Sequence, residues 1–284
     1  MIYVPGRSLI YCISHYMVTY LAKGQKTFLP ATYTPTLVIF RKGGVTLGSD
    51  NMMEEKAPPA YIEGPALCPR YSTATENSEI ISLHFKPAML QNILFMPASE
   101  FSNCCISLND IGNPYLNDLV NIVVSVSCIN EAIQMLERKL NKLLVIGNEK
   151  FSRETRPFFV SREIIYKSTK ELASVSGLSV RQLERRFKQS YGVTVRDWRR
   201  LNRAASAVME LITGQSNSLN VADVANNANY FDHAHMCREF RSLCGVSPSE
   251  LVHRITDDPA YWPLRELRKL NVASIQDRHS AYVG

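Results

Sequence analysis

Two stretches of the chain, Leu183-Glu-Arg-Arg-Phe-Lys-Gln-Ser-Tyr-Gly-Val-Thr194 and Met236-Cys-Arg-Glu-Phe-Arg-Ser-Leu-Cys-Gly-Val-Ser247, align without a gap at an offset of 53 residues. Both place an arginine, a phenylalanine, a glycine and a valine at the same positions. Upstream, Glu171-Leu-Ala173 aligns with Asp223-Val-Ala225 at an offset of 52, so the second unit carries one extra residue in its turn. The sequence therefore predicts two copies of a helix, a tight turn and a second helix.

Local signals mark where the helices of this repeat begin and end. In a capping box, a Ser or Thr is followed three residues later by Glu or Gln, and the pair binds two otherwise unpaired backbone N–H groups. The pattern occurs at Ser168, Ser179 and Ser247, and looser helix starts occur at Thr194 and Asn220. Glycines at positions 177, 192, 214 and 245 lie where helices should stop. A long helix over about residues 195–213 is predicted to join the two copies.

The second helix of each copy is predicted to be amphipathic, with an apolar face toward the core and a polar face toward solvent. In the first copy the polar face carries Arg181, Gln182, Arg185 and Lys188. In the second copy it carries His233, His235, Arg238 and Arg241. Arg can contact guanine bidentately, Gln can pair with adenine, and other cations neutralise phosphates. Either helix alone is equally typical of a solvated surface, but two copies with matched glycines, caps and arginines favour DNA binding.

The residues of this segment resemble those of a known family. Ser179-Val-Arg-Gln-Leu-Glu-Arg-Arg-Phe-Lys188, the repeated Gly-Val-[Ser/Thr] and Gly245-Val-Ser-Pro-Ser249 are similar to the DNA-binding domain of AraC/XylS-type transcription regulators. The resemblance covers about residues 158–255 and implies two helix-turn-helix motifs joined by a long helix, here about Val195–Thr213. The two recognition helices would then enter successive major-groove segments about 34 Å apart.

The resemblance also implies which side chains face the bases. In the first motif these positions are Arg181, Glu184 and Arg185, and in the second they are His233, His235 and Arg238. One departure is Asn229, where the family often has glycine, although Asn tolerates the left-handed backbone conformation. The other departure is the histidine pair, which reads bases less decisively than Arg or Gln. The second half-site is therefore expected to be less sharply defined.

Composition and charge agree with a nucleic-acid-binding part joined to a neutral part. The chain has 284 residues, a length that suggests two domains. Of these residues 45 % are hydrophobic, a composition that excludes a disordered or fibrous chain. Residues 160–255 hold 14 Lys and Arg against 9 Asp and Glu, whereas residues 1–159 hold 14 against 13. The seven cysteines are irregularly spaced, which is typical of reduced thiols in a cytosolic protein. No stretch approaches the roughly 18 apolar residues of a membrane span.

The N-terminal half is predicted to be β-rich and then helical. Residues 9–20 and 36–40 have strand composition, and the alternation over 81–85 is typical of a half-buried strand. Helices are expected over 87–94 and between 114 and 144. The apolar stripe of the last helix fits a seam with a partner chain or packing against its own barrel, and it comprises Ile133, Leu136, Leu140, Leu143 and Leu144.

This half loosely resembles the regulatory domains of the same family, which are cupin-like barrels with a helical dimerisation unit. The fold class is therefore predicted as α+β. Residues 1–147 would form the regulatory or oligomerisation domain, 148–157 a linker, 158–255 the DNA-binding domain of two helix-turn-helix motifs joined by a long helix, and 256–284 a C-terminal tail.

The residue patterns that would indicate catalysis are incomplete in this sequence. A cupin enzyme needs several histidines and a carboxylate around a metal, but residues 1–159 contain only His15 and His84. Cys12, Cys104 and Cys105 lack the surroundings of an alkyltransferase nucleophile. The pair His233-x-His235 with Cys237 lacks a fourth metal ligand, and no phosphate loop or nucleophile elbow occurs. We therefore expect no catalytic residue, metal or cofactor.

The sequence thus predicts a cytoplasmic, sequence-specific transcription regulator controlled through its N-terminal domain. The expected partners are double-stranded DNA at a promoter or operator, RNA polymerase, a second copy of the chain and a small-molecule effector, with no membrane. The alternatives are a cupin-like enzyme or a DNA-repair alkyltransferase with a DNA-tethering domain. Activation and repression are both compatible with the sequence.

Overall fold

The computed structural model describes residues 1–49, 52–150, 158–161, 164–213 and 221–269. The first part of the chain forms ten strands. They are β1 Ile2–Tyr3, β2 Ile13–Leu21, β3 Lys26–Leu29, β4 Thr36–Lys42, β5 Val45–Ser49, β6 Met52–Lys56, β7 Ala60–Glu63, β8 Arg70–Ala74, β9 Ser78–Phe85 and β10 Cys105–Ser107. A six-stranded sheet has the order β1-β2-β9-β4-β7-β10, and a four-stranded sheet has the order β3-β8-β5-β6. Every pairing between these strands is antiparallel.

The two sheets pack face to face, as expected for a cupin-like barrel. Strand β9 lies in the centre of the larger sheet and is covered on both sides. Ile81 and Leu83 belong to a core shared with helices, whereas Ile80 packs toward the second sheet beside Val45 and Ala74. The predicted strand over 81–85 is therefore confirmed as part of β9, but the prediction that it is half-buried was wrong. The alternation of side chains separates two cores and does not separate a core from water.

A helical unit covers the outer face of the larger sheet. Its helices are α1 Gln91–Leu94, α2 Leu108–Ile111, α3 Pro114–Ser125 and α4 Ile129–Lys150, and a 3-10 helix spans Ala98–Phe101. The predicted stripe at 133–144 lies on α4 and packs in the same core as Ile81 and Leu83. Because Leu136 and Leu140 are fully buried within this single chain, packing against its own barrel is confirmed and a partner seam at these two residues is wrong.

Helix α4 continues into the predicted linker. It ends at Lys150, so the first residues of the segment 148–157 are helical, and residues 151–157 lie outside the described part of the chain. Gly147 does not end the helix. A Cβ atom there would lie 2.2 Å from the carbonyl oxygen of Asn92, so the close approach of α1 requires glycine.

The described residues of the C-terminal part form helices and the turns between them, as predicted. Its helices are α5 Thr169–Val175, α6 Val180–Tyr191, α7 Val195–Thr213, α8 Val221–Asn227, α9 His233–Cys244, α10 Pro248–Asp257 and α11 Trp262–Lys269, with a 3-10 helix at Pro259–Tyr261. The long helix α7 has the predicted bounds. The helix start predicted at Asn220 falls outside the described residues. Within the described residues, no helix is both long and apolar enough to cross a membrane.

The prediction of a tail from residue 256 was wrong for its first part. Residues up to Lys269 continue in helices, and Tyr261 is fully buried. Trp262 donates a hydrogen bond of 3.0 Å from Nε1 to Oγ1 of Thr27 on β3. These contacts join the end of the helical part to the smaller sheet, a long-range packing that local sequence patterns do not reveal.

Candidate nucleic-acid interface

The first helix-turn-helix unit consists of α5, a tight turn and α6. Both helices begin with the predicted capping boxes, at Ser168 with Glu171 and at Ser179 with Gln182. Gly177 in the turn has φ +65°, a left-handed conformation that favours glycine. Together these features fix where α6 begins relative to α5.

The apolar face of α6 anchors this unit in a core. Leu183 and Phe187 are fully buried, and the Phe187 ring stacks on Tyr191 with ring centroids 4.0 Å apart. Trp198 of α7 meets both rings edge-on at 6.5 and 6.0 Å. The packing holds α6 against the start of α7 and leaves its opposite face in solvent.

That opposite face carries the predicted DNA-contacting residues, all of which are exposed: Arg181, Gln182, Glu184, Arg185 and Lys188. Within the described parts of the chain, the three cations form no ion pair. Arg185 therefore pairs with neither Glu171 nor Glu184, the acidic side chains of α5 and α6. Gln182 accepts a hydrogen bond from the Ser179 N–H at 2.9 Å, so a bidentate contact with adenine would require that bond to open.

The second unit, α8 with α9, repeats this geometry. Asn229 has φ +59° and thus takes the left-handed conformation of Gly177, as the sequence predicted. The carboxylate of Asp232 caps α9 by accepting from the N–H of His235 at 2.6 Å. Helices α6 and α9 have equal lengths of 12 residues and end at left-handed glycines, Gly192 and Gly245. The predicted repeat is thus a structural repeat.

The polar face of α9 differs from that of α6. His233, Arg238 and Arg241 are exposed, and the two arginines form no ion pair within the described residues. His235 is half-buried, with Nε2 3.5 Å from a carboxylate oxygen of Glu239 and its ring edge-on to Tyr230. His235 is therefore tied to the scaffold more closely than the other predicted base-facing residues.

Glu239 is the centre of an ionic cluster that the sequence analysis missed. Nη2 of Arg203 lies 3.0 and 3.2 Å from its two carboxylate oxygens, and Nε of Arg200 lies 3.4 Å from one of them. Both arginines belong to α7, so the cluster joins the long helix to α9. One feature of the sequence could have indicated this cluster. The charge reverses between the two copies, since the first has Arg186 at the position of Glu239. Arg186 instead lies over the Phe158 ring at 5.3 Å.

The N-terminal part contacts the C-terminal end of each recognition helix. After α6, Ser102 donates a hydrogen bond from its hydroxyl to the Gly192 carbonyl, and a Cβ atom at Gly192 would lie 2.9 Å from the Ala98 carbonyl oxygen. At the end of α9, the Ala31 N–H donates to the Leu243 carbonyl at 2.8 Å. The N-terminal part therefore touches both recognition helices near their C-terminal ends, at Gly192 and at Leu243.

Two histidines that are far apart in the sequence meet in the barrel. His15 on β2 and His84 on β9 stack with ring centroids 4.3 Å apart, and Thr36 and Ser82 lie at hydrogen-bond distance from the His84 ring nitrogens. Burial, and then the charge of His15, lower the pKa of His84 well below its ordinary value. Across the described ranges, no three His, Cys, Asp or Glu side chains gather in a way that could hold a metal ion.

The thiols considered as nucleophiles are poorly suited to that role. Burial raises the pKa of Cys12 to about 11 and the pKa of Cys105 to about 12. Burial also raises the pKa of Cys104. These thiols stay protonated at neutral pH, and the thiol is a much weaker nucleophile than the thiolate. The geometry therefore does not favour the alkyltransferase alternative.

Comparisons with known proteins agree with the site. Residues 172–254 match a family model described as a helix-turn-helix domain. No curated protein matches the chain. Among solved structures, ToxT from Vibrio cholerae is 13 % identical with a TM-score of 0.43, covering 84 % of this chain and 97 % of ToxT. The AraC-like transcriptional activator CuxR is 14 % identical with a TM-score of 0.26, covering 65 % of this chain and 74 % of CuxR. These identities and scores assign no function by themselves.

Proposed function

We propose that this chain, a DNA-binding transcription regulator with an AraC-type helix-turn-helix domain, reads two successive major-groove segments through α6 and α9. The observation that carries the proposal is the structural repeat. Two helices of equal length have matching caps and matching buried faces, and each exposes arginines that no described acidic side chain neutralises. Exposed cations without an acidic partner can bind phosphates. Near the N-terminal end of a helix they can also reach base edges in a major groove.

Within each helix, we assign different roles to different positions. Arg185 and Arg238 occupy the same place in the repeat and are assigned to base edges, together with Arg181, Glu184 and His233. Lys188 and Arg241 lie further along their helices and are assigned to phosphates. His235 supports the second helix through Glu239 as well as facing the DNA.

The N-terminal part is proposed to control DNA binding through its contacts with the C-terminal ends of α6 and α9. A shift of the segment between β3 and β4 that carries Ala31, or of the segment that carries Ser102, would change the end of α9 or of α6 directly. A cavity of about 420 Å³ between the two parts offers a place for a small-molecule effector, and it is lined by Lys26, Glu54, Tyr71, Thr73 and Asp258 among others. An occupant would touch the smaller sheet and the segment before the 3-10 helix at Pro259–Tyr261.

Pairing and contact with RNA polymerase are further proposals. Because Leu136 and Leu140 are buried in their own core, a homodimer would need other residues. Tyr115 and Val124 on α3 are exposed large apolar side chains and are the candidates. Sedimentation of the full-length chain against Tyr115→Lys tests the pairing, and a variant that sediments as wild type would remove this face from consideration.

Selection from random-sequence DNA with the full-length chain tests the main proposal. We expect two conserved blocks about 10 to 10.5 base pairs apart from centre to centre, since both helices would face the same side of the duplex. The block read less sharply should be the one bound by α9. Lys142→Ala on α4, an exposed cation outside the repeat, is the control and should select the same blocks. If no sequence is enriched, the proposed function is wrong.

A further inference from the structure

We propose that Phe231 is a specificity residue, which contacts the C5-methyl group of a thymine in the half-site bound by α9. The inference rests on the proposed function. Phe231 is 89 % exposed, the highest value among the large hydrophobic side chains of the described residues. A phenylalanine so exposed is available to a binding partner, and its place in the repeat indicates which partner.

The backbone hydrogen bonds identify Phe231 as the extra residue of the second turn. In the first copy the Leu178 N–H bonds the Ala173 carbonyl at 3.0 Å, and in the second the Tyr230 N–H bonds the Ala225 carbonyl at 2.9 Å. Tyr230 therefore corresponds to Leu178, at an offset of 52. The cap residues Ser179 and Asp232 correspond at an offset of 53.

The core position of the turn is already filled without Phe231. Tyr230 is buried and packs in the cluster that contains Met236 and Phe240, as Leu178 packs against the cluster of Leu183 and Phe187. The added phenylalanine consequently contributes little to the fold and lies between the buried Tyr230 and the cap of α9. Its exposure follows from the insertion and not from a loosely packed turn.

The position of Phe231 favours DNA as the occupant. It directly precedes Asp232, so it lies at the N-terminal end of the recognition helix, which is the end that approaches base edges in helix-turn-helix proteins. The exposed His233 and Arg238 follow on the same helix. The thymine methyl is the apolar feature of the major groove, and phenylalanine is one of the side chains that contact it. Such a contact would also supply sequence information that the two histidines of this helix provide weakly.

The experiment replaces thymine by deoxyuracil, which removes only the methyl group. Full-length wild-type protein is titrated with its selected DNA site and with versions that carry deoxyuracil at each thymine of the α9 half-site in turn. At one position the wild type should lose about fourfold in affinity, the factor that corresponds to burying one methyl-sized group. Phe231→Ala should bind the thymine site more weakly than wild type does, and should bind thymine and deoxyuracil sites equally.

Two controls make the outcome specific. Phe159→Ala removes another exposed phenylalanine and should keep the wild-type response to deoxyuracil. Thymines of the α6 half-site should show the same response in wild type and in Phe231→Ala. Melting temperatures of both variants should match that of the wild type, because neither side chain is buried.

Several results would overturn the inference. They are a wild type indifferent to deoxyuracil, a Phe231→Ala variant with undiminished sensitivity, or a selected α9 half-site without thymine. A Phe231→Ala variant that binds DNA normally but fails to stimulate transcription by purified RNA polymerase would indicate a protein contact instead. In each case DNA binding itself persists, whereas a failure of the proposed function would appear as the absence of any selected site.

Discussion

The ring of Phe28 on β3 stacks on the ring of Tyr261, with centroids 4.3 Å apart and planes inclined by 20°. Both side chains are fully buried, although 233 residues separate them in the chain. Phe28 thus belongs to the core built mainly by α7, α9 and α10. The β-rich part does not merely lie beside the helical part, because it supplies a core residue to it.

Phe28→Ala should therefore destabilise the helical part as well as the barrel. Truncating a buried phenylalanine typically costs about 3 to 5 kcal/mol. Urea unfolding should show this loss with far-ultraviolet circular dichroism and with tryptophan fluorescence, to which Trp262 at the joint and Trp198 beside α6 both contribute. Phe159→Ala, at an exposed phenylalanine, should change the free energy of unfolding by less than about 0.5 kcal/mol. A Phe28→Ala protein as stable as wild type would contradict the shared core.

The fragment 155–284 is predicted to fold and to bind DNA without the N-terminal part. Its log K against log salt should fall with a slope of several units, since each neutralised phosphate adds roughly −0.9. Because the fragment lacks Phe28 and Tyr33, which pack on Tyr261 and Trp198, it should melt below the full-length chain. Gel-shift titration and thermal melting measure the two effects. Binding without salt dependence would refute the electrostatic part of this prediction.

The sequence predicted those features of the fold that depend on near neighbours. A capping box is closed by residues three apart, so those at Ser168 and Ser179 could be identified directly, and the repeat located the ends of α6 and α9. At Ser247 only half of the predicted box forms, because the Glu250 carboxylate accepts from Arg254. The failures depend on distant contacts. The predicted tail is helical up to Lys269, and its Tyr261 meets Phe28. Helix α4 runs past Gly147 to Lys150, because the glycine there serves the close approach of Asn92 and does not end the helix.

For the candidate site, too, the sequence predicted what depends on near neighbours and missed what depends on distant contacts. The 3.6-residue period identified the exposed face of α6, but it does not show which polar residues bond to the scaffold. Gln182 bonds to its own cap, and His235 turns toward Glu239 because two arginines of α7 hold that carboxylate. The contact between His15 and His84 needed the register of β2 with β9, which no local pattern gives.

Glu239→Gln should destabilise the second recognition helix, α9, more than the first, α6. Glu239 is only 9 % exposed, and removal of its charge would leave Arg203 without a counter-charge and Arg200 with only Asp197 among the described acidic residues. Breaking one partner of a buried ion pair costs about 3 to 5 kcal/mol when fully buried, so a somewhat smaller loss is expected here. Footprinting should show protection lost over the α9 half-site before the α6 half-site as temperature rises. Equal loss at both half-sites would contradict the role of Glu239 in supporting α9.

His84 should make the barrel sensitive to mild acid. Its pKa is lowered well below 6.5 in the folded chain by burial and by His15, whereas the unfolded chain has the ordinary value. The unfolded state therefore binds the proton first. The contribution of His84 to the free energy of unfolding is therefore fully present above pH 6.5. It is lost as the pH falls below 6.5, by up to about 1.4 kcal/mol per pH unit for one group.

Urea unfolding of wild type and His84→Gln between pH 7.5 and 5 measures this effect. The variant should be less stable at pH 7.5, because the side chain no longer fits Thr36 and Ser82, but its stability should change less with pH. His253→Gln, at an exposed histidine of α10, is the matched control and should follow the wild-type curve. Parallel curves for wild type and His84→Gln would show that this group does not cause the acid sensitivity.

Alanine substitutions on the two recognition helices should distinguish base reading from phosphate contact, at Arg185, Arg238 and Lys188. Arg185→Ala or Arg238→Ala should cost about 1 to 3 kcal/mol on the selected site and relax base preference in one half-site only, α6 for the former and α9 for the latter. Lys188→Ala should weaken binding to all sequences alike and reduce the salt slope by about one phosphate contact. Since neither arginine has a described acidic partner, all three variants should melt within about 1 °C of wild type, as surface substitutions usually do. Selection on randomised DNA distinguishes the roles. An Arg185→Ala protein that selects the wild-type motif and melts lower would place this arginine in the scaffold and not at the bases.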